Sequence, residues 1–217
     1  MRLKIFQPQE ATCFINETEL SRMVDSSHIL AGFSLGFRHR RELARILDRT
    51  PASTCILNLD PAALKSSGID ALALDFDGVL AHHGAPAPLP DAIEWMRRCE
   101  AVFSGDRIFV LSNKPTEERM QWFADNFPAL RFISGVRKKP FPDGLNKSGE
   151  LAGVPLSNIL MVDDRLLTGC LAALVAGARP CFIRHPYVSF RHRPFAELFF
   201  MLLRRIECCF ARTISHV

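Results

Sequence analysis

The residues able to do chemistry fall in four short segments: Asp75-Phe76-Asp77-Gly78-Val79-Leu80, Ser112-Asn113, Lys139-Pro140 and Asp163-Asp164. Three of them close a continuous apolar run, Ala71-Leu72-Ala73-Leu74, Ile108-Phe109-Val110-Leu111 and Ile159-Leu160-Met161-Val162 respectively. Such runs suit parallel strands covered on both faces. Carboxylates at i and i+2 leave a strand on the same side, and Gly78 permits a sharp turn directly afterwards. Three strands thus deliver polar groups at their carboxyl ends, the edge where open parallel sheets bind ligands. An Asp-x-Asp-Gly alone is more often a turn, Ser112-Asn113 alone reads as a helix cap, and Lys139 alone is one solvated charge among Arg137-Lys138-Lys139. Their succession behind buried strands is what groups them, and Pro140 holds Lys139 extended.

The elements that must position these groups alternate as strands and helices at βαβ spacing, which predicts an α/β fold with a parallel sheet and helices on both faces. Strands are expected at 54–59, 71–76, 107–112, 131–134, 159–163 and 181–183, and helices at 91–102, 116–126, 145–152 and 166–176. Pro90-Asp91 and Pro115-Thr116 are good helix starts. The core is assigned to residues 51–190. Residues 1–50 form a helical appendage, with helices at 17–30 and 38–48, and 191–217 a basic amphipathic helix. Within 194–212 a wide apolar face through Phe195, Leu198, Phe199, Leu202, Leu203 and Ile206 opposes a narrow stripe through Glu197, Arg204, Arg205 and Arg212.

The order and spacing of the four segments resemble the motifs of the haloacid dehalogenase-like (HAD) phosphohydrolases: an Asp-x-Asp pair, a Ser or Thr, a Lys and an acidic pair. Leu59-Asp60-Pro61, Gly68-Ile69-Asp70, Lys139-Pro140-Phe141-Pro142 and Asp164-Arg165-Leu166-Leu167-Thr168 are similar to subclass IIIA, the phosphatidylglycerophosphate phosphatases. Gly78-Val79 stand where that subclass has Asn-Thr, and Asp163-Asp164 and Gly169 where it has Gly-Asp and a later Asp. The resemblance implies a three-layered αβα Rossmann-like core and a magnesium-dependent phosphomonoester hydrolase of phospholipid synthesis. It makes Asp75 the nucleophile that becomes an aspartyl-phosphate and Asp77 the general acid and base. Ser112, Asn113, Gly78 and Lys139 then bind the phosphoryl group, and Asp75, Asp77, Asp164 and Asp163 hold Mg2+. The family register favours Asp164 over Asp163 as the ligand. A soluble sugar or nucleotide phosphatase of the same superfamily is the alternative, and a non-catalytic phosphate-binding protein a further one.

The stretch 78–90 has room for a flap but not for a cap domain, and 113–139 only for one helix and one strand. An open site suits a substrate attached to something large, hence a lipid-linked phosphate, or a site covered by another subunit in an oligomer. His82 and His83 are expected as exposed flap residues. With 217 residues, of which 48% are hydrophobic and 23% charged, the chain can bury one sizeable core plus appendages. No stretch approaches the roughly 20 apolar residues of a spanning helix, and the start has no signal-peptide core, so a cytoplasmic location is expected. Seven cysteines without a CxxC pair fit reduced thiols. Residues 179–217 carry seven arginines against two glutamates, an excess of five that exceeds the whole-chain charge of +4. Such a helix suits an anionic membrane interface at the inner face of a membrane, or packing on protein. With one Tyr and two Trp, aromatic interleaving for nucleic acid is not evident, so no nucleic-acid partner is expected.

Overall fold

The computed structural model describes residues 32–113, 115–191 and 193–214. Five strands, β1 (Ala71–Leu74), β2 (Ile108–Leu111), β3 (Arg131–Ile133), β4 (Ile159–Asp163) and β5 (Arg179–Phe182), form one sheet in the order β3-β2-β1-β4-β5. Every pairing is parallel, and central β1 sets Leu72 opposite Ile108 on one side and Leu160 on the other. Around the sheet run α1 (Arg40–Arg49), α2 (Pro61–Ser66), α3 (Pro90–Phe103), α4 (Glu117–Asn126), α5 (Asp143–Ala152), α6 (Leu171–Ala176) and α7 (Pro194–Ile214). Residues 32–38 are also helical.

The two-residue period of the strands divides their side chains between two cores. Leu72, Leu74, Val110, Leu160 and Val162 pack with Trp95, Met96 and Cys99 of α3 and Phe123 of α4. Ala71, Ala73, Phe109, Leu111 and Met161 pack with Leu145 of α5 and Ala172 and Ala173 of α6. The result is the expected α/β architecture of three layers, with no cap domain among the described residues. A third cluster joins Leu43 and Leu47 of α1 to Leu166, Leu171, Phe182 and Ala211, fastening α1 and α7 to the corner beyond β4. The chain leaves β1 through β2 to one edge and returns to β4 on the other side. The point where strand order reverses therefore lies beside β1, where such sheets bind ligands.

Four local expectations are corrected. Residues 54–59 are not a strand: Ile56–Asn58 is a 3₁₀ turn. Asn58 Oδ1 accepts from the Cys55 N–H at 2.8 Å, a local bond that competes with a ladder. Only the Thr54 carbonyl meets the sheet side, accepting from the Arg184 and His185 N–H groups. Strand β1 stops at Leu74 because the chain turns at once, with Leu80 N–H donating to the Phe76 carbonyl. Strand β5 begins two residues earlier than expected, at Arg179. The helix at 166–176 opens with a wide π turn, Leu166–Cys170, before α6. Thr116 does cap α4, accepting from the Arg119 N–H at 3.3 Å. The helix expected at 17–30 lies outside the described residues.

Candidate active site

Asp75 leaves β1 still paired to β4, its N–H donating to the Val162 carbonyl at 2.9 Å. Asp163 ends β4 and Asp164 follows, so two neighbouring strands deliver three carboxylates to one point. Oxygen atoms of Asp75, Asp163 and Asp164 lie within 4.8 Å of one another. Lys139 enters from the loop after β3, its Nζ donating to Asp75 at 2.7 Å and to Asp163 at 2.6 Å. Asn113, two residues beyond β2, fixes that loop by accepting from the Lys139 N–H at 2.9 Å and donating to its carbonyl. Ser112 lines the same cavity. Asp163 also accepts from the Arg165 N–H at 2.8 Å.

Burial dominates the electrostatics. It pushes the Asp75 carboxyl up to about 8, with Asp163 and Asp164 adding to the rise and Lys139 opposing it. Burial likewise raises Asp164 to about 6, against the pull of the Arg204 guanidinium. For Lys139 burial alone would lower the ammonium, but Asp163 and Asp75 hold it above its ordinary value. Three carboxylates face the Lys139 ammonium and the Arg204 guanidinium, so the ionised set keeps one surplus negative charge, and its free donors are carboxylate oxygens. That set fits a hard divalent cation, which takes carboxylate oxygens and completes its shell with water.

Asp77 does not join this cluster. Arg119 of α4 holds it bidentately, at 2.8 and 3.0 Å, and the Gly84 N–H donates to it at 3.1 Å. Arg119 is itself buried, donates Nε to the Ala85 carbonyl at 2.9 Å and lies 3.9 Å above the Phe76 ring. Sequence reasoning missed Arg119. It sits in the first turn of a helix beside Glu117 and Glu118, where an arginine reads as surface.

Helix α7 also reaches the site, again unforeseen. Its Arg204 pairs with Asp164, and its Glu207 pairs with Arg165 and accepts from the Leu167 N–H at 3.3 Å. Glu197 accepts from the N–H groups of His83, at 3.1 Å, and Ser189, at 3.2 Å, and lies 3.2 Å from His83 Nδ1. His83 is therefore buried and stacked on Phe200, not an exposed flap residue; burial lowers its pKa. The charged floor opens into a cavity of about 420 Å³ whose wall is apolar: Phe33, Leu167, Phe199, Phe200 and Leu203.

Gly78 and Gly169, two of the positions that depart from the subclass IIIA pattern, both press on the acidic pair. A Cβ at Gly78, where φ is +86°, would overlap the Asp164 carboxylate, and one at Gly169 would overlap that of Asp163. The glycines let backbone close over the carboxylates.

The chain matches no known protein-family model and no curated protein. Among solved structures it is similar to an uncharacterized protein from Corynebacterium glutamicum, at 20% identity over 62% of this chain and 93% of that one, with a TM-score of 0.43. It is also similar to a HAD family hydrolase from Deinococcus radiodurans, solved with bound phosphate and sodium, at 17% identity over 52% of this chain and 80% of that one, with a TM-score of 0.34. No helix among the described residues is long and apolar enough to cross a membrane.

Proposed function

We propose that this chain is a magnesium-dependent phosphomonoester hydrolase of the HAD type, with a lipid-linked phosphate, specifically phosphatidylglycerophosphate, as its substrate. The observation that carries the reading is the convergence of Asp75, Asp163 and Asp164 around the Lys139 ammonium at the sheet's switch point. Asp75 attacks phosphorus, forming an aspartyl-phosphate while the ester oxygen departs, and water then cleaves the acyl-phosphate. Asp77, positioned by Arg119 and the Gly84 N–H, takes a proton from the attacking water, while the departing oxygen takes its proton from solvent water. Lys139 offsets phosphoryl charge and Ser112 lines the phosphoryl position, whereas Gly78, expected there, donates its N–H to the Ala81 carbonyl and accepts at its carbonyl from the Tyr187 N–H. Asn113 orients Lys139 by holding its backbone on both sides. Magnesium, held by Asp75 and Asp164 with Asp163 tied to Lys139, would supply positive charge beside the phosphoryl oxygens.

The substrate half of the reading rests on the cavity wall. Phosphate chemistry needs the polar floor only, yet Phe33, Phe199, Phe200 and Leu203 line the approach. Such a wall suits an apolar or amphipathic leaving group better than a sugar or nucleotide. The test is phosphate release by purified protein with magnesium, from phosphatidylglycerophosphate in mixed micelles and from a panel of soluble sugar and nucleotide monoesters. The expected result is preference for the lipid, and loss of turnover in a folded Asp75→Asn variant. Preference for a soluble ester would overturn the substrate, and undiminished release by Asp75→Asn would overturn the mechanism.

A further inference from the structure

Helix α7 faces the opposite way from an ordinary surface helix. At 3.6 residues per turn, Glu197, Arg204, Glu207 and Ala211 lie on one side, and Phe195, Leu198, Phe199, Leu202 and Ile206 on the other. The charged side is the one turned inward: Glu197 and Glu207 are 0% and 2% exposed, engaged with His83, Ser189, Arg165 and Leu167. The apolar side is turned out, with Phe195 87%, Leu198 60% and Leu202 57% exposed. A contiguous stripe of this kind marks an interaction surface.

We propose that this outward face of α7 is a docking surface for an anionic lipid bilayer, in which the helix lies parallel to the membrane plane. Charge selects the occupant. Both acidic residues of α7 are consumed inside, so the charge standing beside Leu198 and Leu202 on its exposed side is the Arg205 guanidinium. A second copy meeting this face would bring guanidinium against guanidinium with no acidic partner on either helix. Phospholipid headgroups supply the complementary negative charge, and acyl chains take the Phe and Leu side chains.

Continuity with the cavity points the same way. Phe33, from the helical stretch 32–38, stacks edge-on with Phe210 of α7 at 5.4 Å, and together with Phe199 lines the cavity over Asp75 and Asp164. Phe199, 58% exposed, thus belongs both to the outward apolar face and to the cavity wall. If the hydrolase reading holds, a lipid-linked phosphate reaches Asp75 from the membrane side without leaving the interface. The docking itself stands on exposure and charge, so vesicle binding is read without substrate and its failure is separable from failure of that reading.

The experiment is sedimentation of the full chain with phosphatidylcholine vesicles, with and without phosphatidylglycerol. Expected is binding to the anionic vesicles, weakened by salt. Arg205→Ala should lower partitioning about fivefold, the worth of one basic residue near such a surface. Leu198→Ser with Leu202→Ser should lower it more than about tenfold, through lost apolar burial. Neither change touches the cavity lining, so melting temperature and any hydrolysis of a soluble ester should be unaltered. The proposal is overturned if the wild-type chain does not bind, or binds neutral vesicles equally. It is equally overturned if the double Ser variant lowers the oligomeric mass seen by light scattering, which assigns the face to a second copy. A melting temperature lowered without vesicles would assign it to the chain's own packing.

Discussion

Replacing Lys139 by methionine keeps most of the side-chain stem and deletes the charge between two carboxylates. The ammonium lies 2.7 Å from Asp75 and 2.6 Å from Asp163, and its side chain is 8% exposed. Two unit-charge contacts near 4 Å at an effective dielectric of 20 amount to about 8 kcal/mol of gross attraction. Desolvation of three ions offsets much of that, and removing one partner of a buried pair typically costs about 3–5 kcal/mol. The carboxylates have an escape by protonation: Asp75 is already raised to about 8, and without Lys139 it would rise further. A carboxyl whose folded pKa exceeds its unfolded value contributes stability at low pH and loses it as pH climbs through the folded value. The destabilisation should therefore be largest above about pH 8 and shrink towards about pH 5.5. For a domain of this size each kcal/mol shifts the melting temperature by about 2–4 °C, so a fall of roughly 6–20 °C is expected at the alkaline end. Calorimetric melts in chelator, at both pH values, measure it. A variant that melts with the wild type at the higher pH, or that loses more at the lower one, would refute the reasoning. With magnesium and substrate, loss of one such contact to the phosphoryl group should slow turnover about a thousandfold.

Arg119→Met should free Asp77 from its bidentate clamp and lower kcat about 10- to 100-fold with a smaller change in KM, since general acid–base catalysis contributes roughly 10²–10⁴. An unchanged kcat in a folded variant would mean that the clamp does not position Asp77. Magnesium affinity, measured by calorimetry, should rise with pH across the interval from about 6 to about 8. Metal competes with the protons that burial keeps on Asp164 and Asp75, and its binding should release protons to the buffer. Affinity independent of pH, or proton uptake, would count against these carboxylates as ligands.

The sheet's central strands were legible in the sequence because parallel strands buried on both faces must be apolar at every position, as in Ala71–Leu74, Ile108–Leu111 and Ile159–Asp163. The meeting of Asp75, Ser112, Asn113, Lys139, Asp163 and Asp164 was legible for a related reason. All but Lys139 lie within two residues of a strand end, and strand order then fixes their neighbours. Residues 54–59 read as a strand because an apolar run carries no record of whether a sheet edge awaits it; the Asn58–Cys55 bond decided that locally. The inward placement of Arg119 and the side of α7 that faces the protein lay beyond the sequence. Periodicity gives the angle between the apolar and charged stripes of α7 but not which one faces the protein. That orientation depends on partners distant in the chain: Asp164, Arg165 and His83 offer buried charge and hydrogen-bonding groups that Arg204, Glu207 and Glu197 satisfy. Leaving such groups unpaired would cost more than exposing leucine and phenylalanine to water, so the tertiary structure turned the helix inside out.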